Sequence, residues 1–571
     1  MAEVDDFYAV WAGVDVPMNT VRADRPGSIS AGERGSEHRT EISSIRPRNV
    51  LGVTQPAAAA VPLSVFGRGL RTTTVGVLLV MTIVAFEAMS VATAMPTVVR
   101  SLHGMALYAW PFSAYLVASL LGIVVSGEVA DRMGPARPLL AGLALFAAGL
   151  IVAGTAQTMV QMILGRIAQG LGGGFLIVVL YVMIGLAYPP HLHPKVFGLT
   201  AAGWVVPSLI GPVIAGSLAE HGHWRWVFLG IVPLVVVGAG LVLPGLYRPP
   251  AGRPSNRAES ANGGSGAAGP VAANGGGGAA GPVAANGGSY RGGRVRWPFA
   301  LLAGVGVVLF QLAGERLDAL AIPMFVAAAV ALVLAVRVLL PAGTALGRRG
   351  LPAVIAMRGL AAGAFFAVDT FVPLTLSAVH GYSPVAAGIP LAVGSVGWSS
   401  ASWLQGRHPD LPRPRLVAIG MVGVVLAATL MAVVAVVPGT GWLAFLAWLL
   451  GGLGLGLVMP SVAVLTLEHS TDADRGRNSA GLQISDGLFS ALTIGLGGVV
   501  VAAAEAGHFE LSIAIGAVDI AMAGVAVVGV LLAARLGPAR KVPSIPAEPG
   551  VPPQISAPAG PRTSYECGAS G

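Results

Sequence analysis

The chain has 571 residues, 54% of them hydrophobic and only 11% charged, with a mean hydropathy of +0.76; soluble domains carry about 25% charged residues, so a soluble globular protein is excluded. The formal charge of +8 does not point to nucleic acid, because the arginines are scattered at the ends of apolar runs and form no basic helix or aromatic-basic module. A single cysteine, Cys567, excludes an intramolecular disulfide framework.

Residues 1–70 are polar, mixed in charge and without the apolar core of a cleavable signal, and read as a disordered cytoplasmic arm. Fourteen apolar runs of about the ~20 residues needed to cross a bilayer follow. Six span 72–98, 106–126, 138–156, 159–186, 195–219 and 225–246. The next two, 297–313 and 319–340, come after a hydrophilic insert, and a final six span 352–378, 384–404, 415–437, 441–466, 477–504 and 510–536. The insert, 247–296, repeats the decapeptide of residues 267–276 at 279–288, a Gly/Ala/Asn composition that reads as a flexible linker. The domains expected are therefore a 71–246 half, the linker, two extra helices within 297–340, a 341–536 half and a Pro-rich disordered tail at 537–571. With the N-terminus inside, Arg132, Arg137, Lys195, Arg296, Arg348, Arg349, Arg407, Arg413, Arg415, Arg475 and Arg477 fall on the cytoplasmic side. Only Arg100, Arg225 and Arg316 fall outside. This asymmetry predicts a multi-pass plasma-membrane protein with both termini cytoplasmic.

The second and third runs are joined by Gly127-Glu-Val-Ala-Asp-Arg-Met-Gly-Pro-Ala-Arg137. Its cluster of Asp131, Arg132 and Arg137 with Gly127 and Gly134 is more than polarity requires of a loop. A carboxylate here can face the positive N-terminus of a neighbouring helix, that of the 477–504 run near Asn478. The stretch resembles the G-x-x-x-D-R-x-G-R-[KR] signature of major facilitator superfamily transporters, with Pro135-Ala136 where a basic pair is usual. Leu164-Gly-Arg166-Ile-Ala-Gln169-Gly170 is similar to the arginine motif of that family's fourth helix. Gly203-Trp-Val-Val-Pro207-Ser-Leu-Ile-Gly211-Pro212-Val-Ile-Ala-Gly216 is similar to the antiporter motif of its fifth. The resemblance, to the fourteen-helix drug:proton antiporter branch, covers residues 70–536. It implies an all-α integral membrane fold of two six-helix halves plus two central helices. The antiporter-motif glycines and prolines would let one helix bend and pack closely, or serve generic small-residue packing.

Glu87, Arg166, Asp369 and Asp486 lie inside apolar runs, with Asp519 as a fifth ionisable group. At about 2.5–3.5 kcal/mol for a charge at the bilayer centre, each is expected to face a cavity or a partner. Glu87 reads as a proton carrier or as a structural hydrogen-bonding group. Counting 1.5 Å per residue, Glu87 and Arg166 differ in depth by roughly 6 Å, so the two can pair. Asp369 suits a second proton or a cationic substrate, and Asp486 a structural or a functional role.

His191-x-His193 and His221-x-His223 look like metal pairs but lack further ligands, so no metal is expected. The glycines at 172–174 and 452–456 lack a P-loop Lys-Ser/Thr and read as helix packing, so no nucleotide or other cofactor is expected. The resulting expectation is a monomeric, proton-coupled exporter of a small amphipathic compound. Its partners would be that substrate, protons and the lipid bilayer. A nutrient importer, or an exporter of a native lipid or metabolite, is the alternative. A membrane-embedded enzyme lacks a nucleophile–base pair, and a scaffold lacks an effector domain.

Overall fold

A computed structural model describes residues 64–67, 70–246, 296–316, 318–408, 410–471 and 474–537. The arm to residue 63, the insert at 247–295 and the tail from 538 lie outside the described residues. Among the described residues fourteen helices account for the fourteen apolar runs. They are α1 (Arg71–Ser101), α2 (Trp110–Met133), α3 (Ala136–Gly154), α4 (Met159–Ala187), α5 (His193–Glu220), α6 (Val232–Leu246) and α7 (Trp297–Gly314). The others are α8 (Ala321–Leu339), α9 (Leu351–Leu374), α10 (Pro384–Arg407), α11 (Arg413–Val436), α12 (Leu443–Glu468), α13 (Arg475–Glu505) and α14 (Leu511–Ala533). Among the described residues thirteen segments are long and apolar enough to cross a membrane, α10 being the exception. Its serines and glycines lower its hydropathy for a reason that the site makes clear.

The chain alternates direction at each turn. The "upper" end holds the turns after α1, α3, α5, α7, α9, α11 and α13, and the "lower" end the other described turns. Helices α1–α6 pack mainly among themselves, as do α9–α14. The two sets meet through α1 with α9 and α10, α5 with α10, and α2 with α13.

Three local features differ from the sequence expectation. The expected loop at 127–137 is helical over most of its length: α2 continues to Met133, and only Gly134 and Pro135 turn the chain. Glu128, Ala130 and Arg132 are good helix formers, and Gly134 ends the helix at φ +77°, where a side chain is unwelcome. The run 225–246 is broken at Gly230-Ile231 into a single turn, Trp226–Leu229, and α6. Above Pro373, residues Thr375–Val379 form a π turn. Pro96 and Pro373 each precede a His-Gly pair by the same spacing, yet the left-handed residue is His103 in one copy and Gly381 in the other. A π turn accommodates one extra residue, which accounts for that slip of one.

Candidate functional site

The antiporter-like residues of α5 build the seam between the two sets. Pro207 has no N–H, so the carbonyl of Gly203 one turn earlier loses its helical donor. Thr82 of α1 supplies one, its hydroxyl donating to Gly203 O at 3.3 Å. Ser90 also donates to a carbonyl of α5, Gly211 O at 3.4 Å, whose helical donor, the Ala215 N–H, is not removed by a proline. The opposite face meets α10: a Cβ built on Gly216 would lie 2.7 Å from Val385 Cα, and one on Gly388 3.2 Å from Pro212 Cβ. Only small residues allow this approach of the backbones. Near the same end Arg100 donates to Ser377 Oγ at 3.2 Å. The Tyr108 hydroxyl donates to Thr370 O at 2.9 Å, its ring stacking on Phe371 with centroids 5.5 Å apart. The upper part of the seam is thus tightly closed.

Glu87 and Arg166 are brought together, as their depths suggested. An Arg166 guanidinium nitrogen forms an ion pair with Glu87 Oε1. Arg166 also donates to Pro111 O at 3.2 Å and to Gln169 Oε1 at 2.8 Å, with its guanidinium carbon 4.3 Å from the centre of the Tyr115 ring. Glu87 has no exposed surface. Its second oxygen, Oε2, and Gln169 Nε2 lack partners among the described residues. The pair is locked inside the first six-helix set, between α1, α2 and α4.

Asp369 is placed differently. It is half-buried and borders a cavity between the sets, with walls from α1, α5, α9, α10 and α12. Its Oδ1 accepts a hydrogen bond from Trp448 Nε1 at 2.9 Å. Trp448 stacks on Phe365 with centroids 5.2 Å apart, and Trp398 meets Phe365 edge-on. Trp204, Phe366, Met89, Ser208, Ser395 and Ser399 complete most of the lining. The Trp398 indole nitrogen has no partner among the described residues. A carboxylate among aromatic faces is an arrangement that attracts an organic cation. The composition of α10 follows from this: serines border the cavity, while Gly394 and Gly397 pack against Trp448 and the α12 backbone.

Asp486 is one half of a second buried pair. Arg358 on α9 reaches Asp486 Oδ2 on α13 through Nε at 2.8 Å and a terminal nitrogen at 2.7 Å. Sequence reasoning missed Arg358, although an arginine seven residues into an apolar run is a readable signal. Asp519 is fully buried, with neither carboxylate oxygen bonded among the described residues. In the turn motif, Gly127 borders open space, Arg132 is exposed, and exposed Arg137 donates to Met133 Sδ at 3.1 Å. The Asp131 side chain lies outside the described residues, so its expected docking near Asn478 does too. His193 and His221 each engage a backbone carbonyl at 2.8 Å, Tyr188 O and Ser217 O respectively.

Paired six-helix sets enclosing a central aromatic cavity define a multi-pass membrane transporter rather than an enzyme. The family model of the Major Facilitator Superfamily matches residues 77–465, and the chain belongs to that superfamily. It is 28% identical over 432 residues to a Mycobacterium tuberculosis protein named probable multidrug-efflux transporter, an alignment covering 72% of this chain and 84% of that one. Multidrug resistance protein 3 of Bacillus subtilis is 35% identical over 159 residues, covering 28% of this chain and 31% of that protein. Among solved structures, an auto-inhibited peptide transporter of the POT family shares the fold at a TM-score of 0.56 and 15% identity, covering 82% of this chain and 98% of that one. The human organic anion transporter MFSD10 does so at 0.51 and 12%, covering 81% and 99%.

Proposed function

We propose that this transporter exports small amphipathic cations in exchange for protons. The observation that carries the reading is Asp369: a half-buried carboxylate with one oxygen held by Trp448, in a cavity walled by aromatic rings at the meeting of the two sets. A ring face and a carboxylate together favour a flat or bulky organic cation over an inorganic ion, which would gain nothing from the rings. Glu87 and Arg166 supply the proton arm. The pair satisfies the arginine only while Glu87 is ionised, so a proton on Glu87 releases Arg166 from its partner and favours a rearranged state. The lower end, with its excess of arginine, faces the cytoplasm. The protein works as a monomer, by rocking of the two sets about the cavity. The turn at Gly127–Arg137 and the Pro207–Pro212 stretch of α5 set the ends of that motion.

The test uses the purified full chain in proteoliposomes with ethidium, a flat aromatic monocation, and an uncharged aromatic of similar size. Labelling a cysteine at Asp318 in a Cys567→Ser background with an impermeant thiol reagent sorts the two orientations. Acidifying the compartment that the upper end faces should drive ethidium into that compartment, with protons leaving it. Movement of the dye in the same direction as the protons would mean symport and import. Accumulation unaffected by the gradient would remove proton coupling.

A further inference from the structure

The two helices inserted between the six-helix sets have no assigned part in transport, and α7 touches both sets. Its contacts with the two are chemically different. Toward α2 they are polar and run the length of the helix. At the lower end the Arg296 N–H donates to Glu128 Oε1 at 3.2 Å. Near the upper end Gln311 and Ser113 exchange hydrogen bonds, Gln311 Nε2 to Ser113 Oγ at 2.8 Å and Ser113 Oγ to Gln311 Oε1 at 3.1 Å. One turn on, the Trp110 indole donates to Glu315 Oε1. Between these ties a Cβ on Gly304 would meet Val117 Cγ1 at 2.7 Å. Toward α13 the named contacts are steric: Gly314 lies under Val499, and the Gln311 side chain rests against Gly495.

Gln311 is 2% exposed, so its amide has no water to turn to. In a bilayer a hydrogen bond between helices is kept where the alternative is an unsatisfied polar group. A glycine-faced steric contact carries no such requirement and can be remade after a shift. At the same upper end α2 and α13 touch directly, with Ala109, the N-cap of α2, against Gly498. Any motion that opens the seam there must separate these two helices, and α7 can follow only one of them.

We infer that α7 is a moving part of the first six-helix set, strapped to α2 by Gln311, Glu315 and Glu128, and that it slides across α13 during each transport cycle. Gln311 is thereby a positioning residue rather than part of the substrate site. The inference rests on the alternating motion proposed above, and one arm of its test does not depend on what is carried.

The chain has one cysteine, so a Cys567→Ser background suffices. Val117→Cys with Gly304→Cys bridges α7 to α2, and Gly314→Cys with Val499→Cys bridges α7 to α13. Oxidation of the first pair should leave ethidium transport close to its reduced rate. Oxidation of the second should lower it by roughly tenfold or more, reversibly on reduction, since turnover needs that motion. A tolerated 314–499 bridge, or a blocking 117–304 bridge, overturns the inference. Spin labels cover the case in which a reduced pair is inactive or ethidium is not carried. Asp318 is labelled with Gln157 of the first set or Gly439 of the second, and Gly216→Trp wedges the upper seam. The 318–157 distance should stay fixed and the 318–439 distance change. The reverse pattern, or both distances fixed, overturns the inference.

Discussion

Replacing Glu87 by Gln is expected to abolish accumulation of ethidium against its gradient while preserving binding and downhill exchange. The amide keeps the size of the acid and can still accept a hydrogen bond from Arg166, but it has no proton to exchange. Stability complicates the comparison. Removing one member of a buried ion pair costs about 3–5 kcal/mol, because the other charge stays buried without compensation. Arg166→Ala is therefore expected to give less folded protein, and Glu87→Gln alone carries part of that penalty. The double variant Glu87→Gln/Arg166→Gln removes both charges, and should recover folded protein without recovering uphill transport. That dissociation separates a coupling role from a structural one. If the double variant still concentrates substrate under an imposed pH gradient, Glu87 is a structural group and Asp369 becomes the coupling acid.

The second large effect is expected at Asp369. Asp369→Asn leaves an acceptor for the Trp448 indole but takes the negative charge from the cavity. Truncating one side of a buried, hydrogen-bonded charge pair costs about 2–5 kcal/mol. Ethidium affinity should accordingly fall by a factor of ~30 or more, since 1.4 kcal/mol is tenfold. An uncharged aromatic of the same size should bind the variant as it binds the parent. Calorimetry or tryptophan quenching reads both, and Trp204, Trp398 and Trp448 in the lining make quenching well suited. Equal loss for the charged and the uncharged compound would make Asp369 a support for the cavity wall, and the cationic class would fall with it.

Much of this was legible in the sequence because a bilayer leaves the chain so few options. Every apolar run became a helix, since a spanning segment must satisfy its own backbone. The partnership of Glu87 and Arg166 was readable from depth alone, as two charges at similar depth have few other places to go. Glycines and prolines of α5 announced a close contact, but not that a hydroxyl of α1 would take up the carbonyl that Pro207 releases. What stayed hidden was lateral. Trp204, Phe365, Trp398 and Trp448 come from four helices, and nothing in their spacing says that they share a cavity with Asp369. The turn at 127–137 was misjudged in extent because polar residues at a membrane face look like a loop even when they continue a helix. Arg358 was passed over although it lies inside an apolar run, and it is buried against Asp486.

The serines and glycines of α10 have a consequence for how the protein is made. A segment emerging from the ribosome enters the bilayer by its own hydropathy, and α10 is the one helix of the fourteen that falls short on that measure. What holds it in place is α12. Gly394 lies against Trp448, and the Gln405 amide donates to Gly456 O at 2.8 Å and Leu457 O at 3.0 Å. That partner is synthesised some fifty residues later, a delay of about 3–10 s at ~5–20 residues per second. During that interval α10 must wait at the insertion machinery, shielded by it or by strongly apolar α11. A nascent chain stopped just beyond Arg407 is therefore expected to leave α10 untransferred, whereas one extended through Glu468 spans normally. A glycosylation acceptor fused after each stop point reads the difference, and independent insertion of the shorter chain would show that α10 needs no later helix.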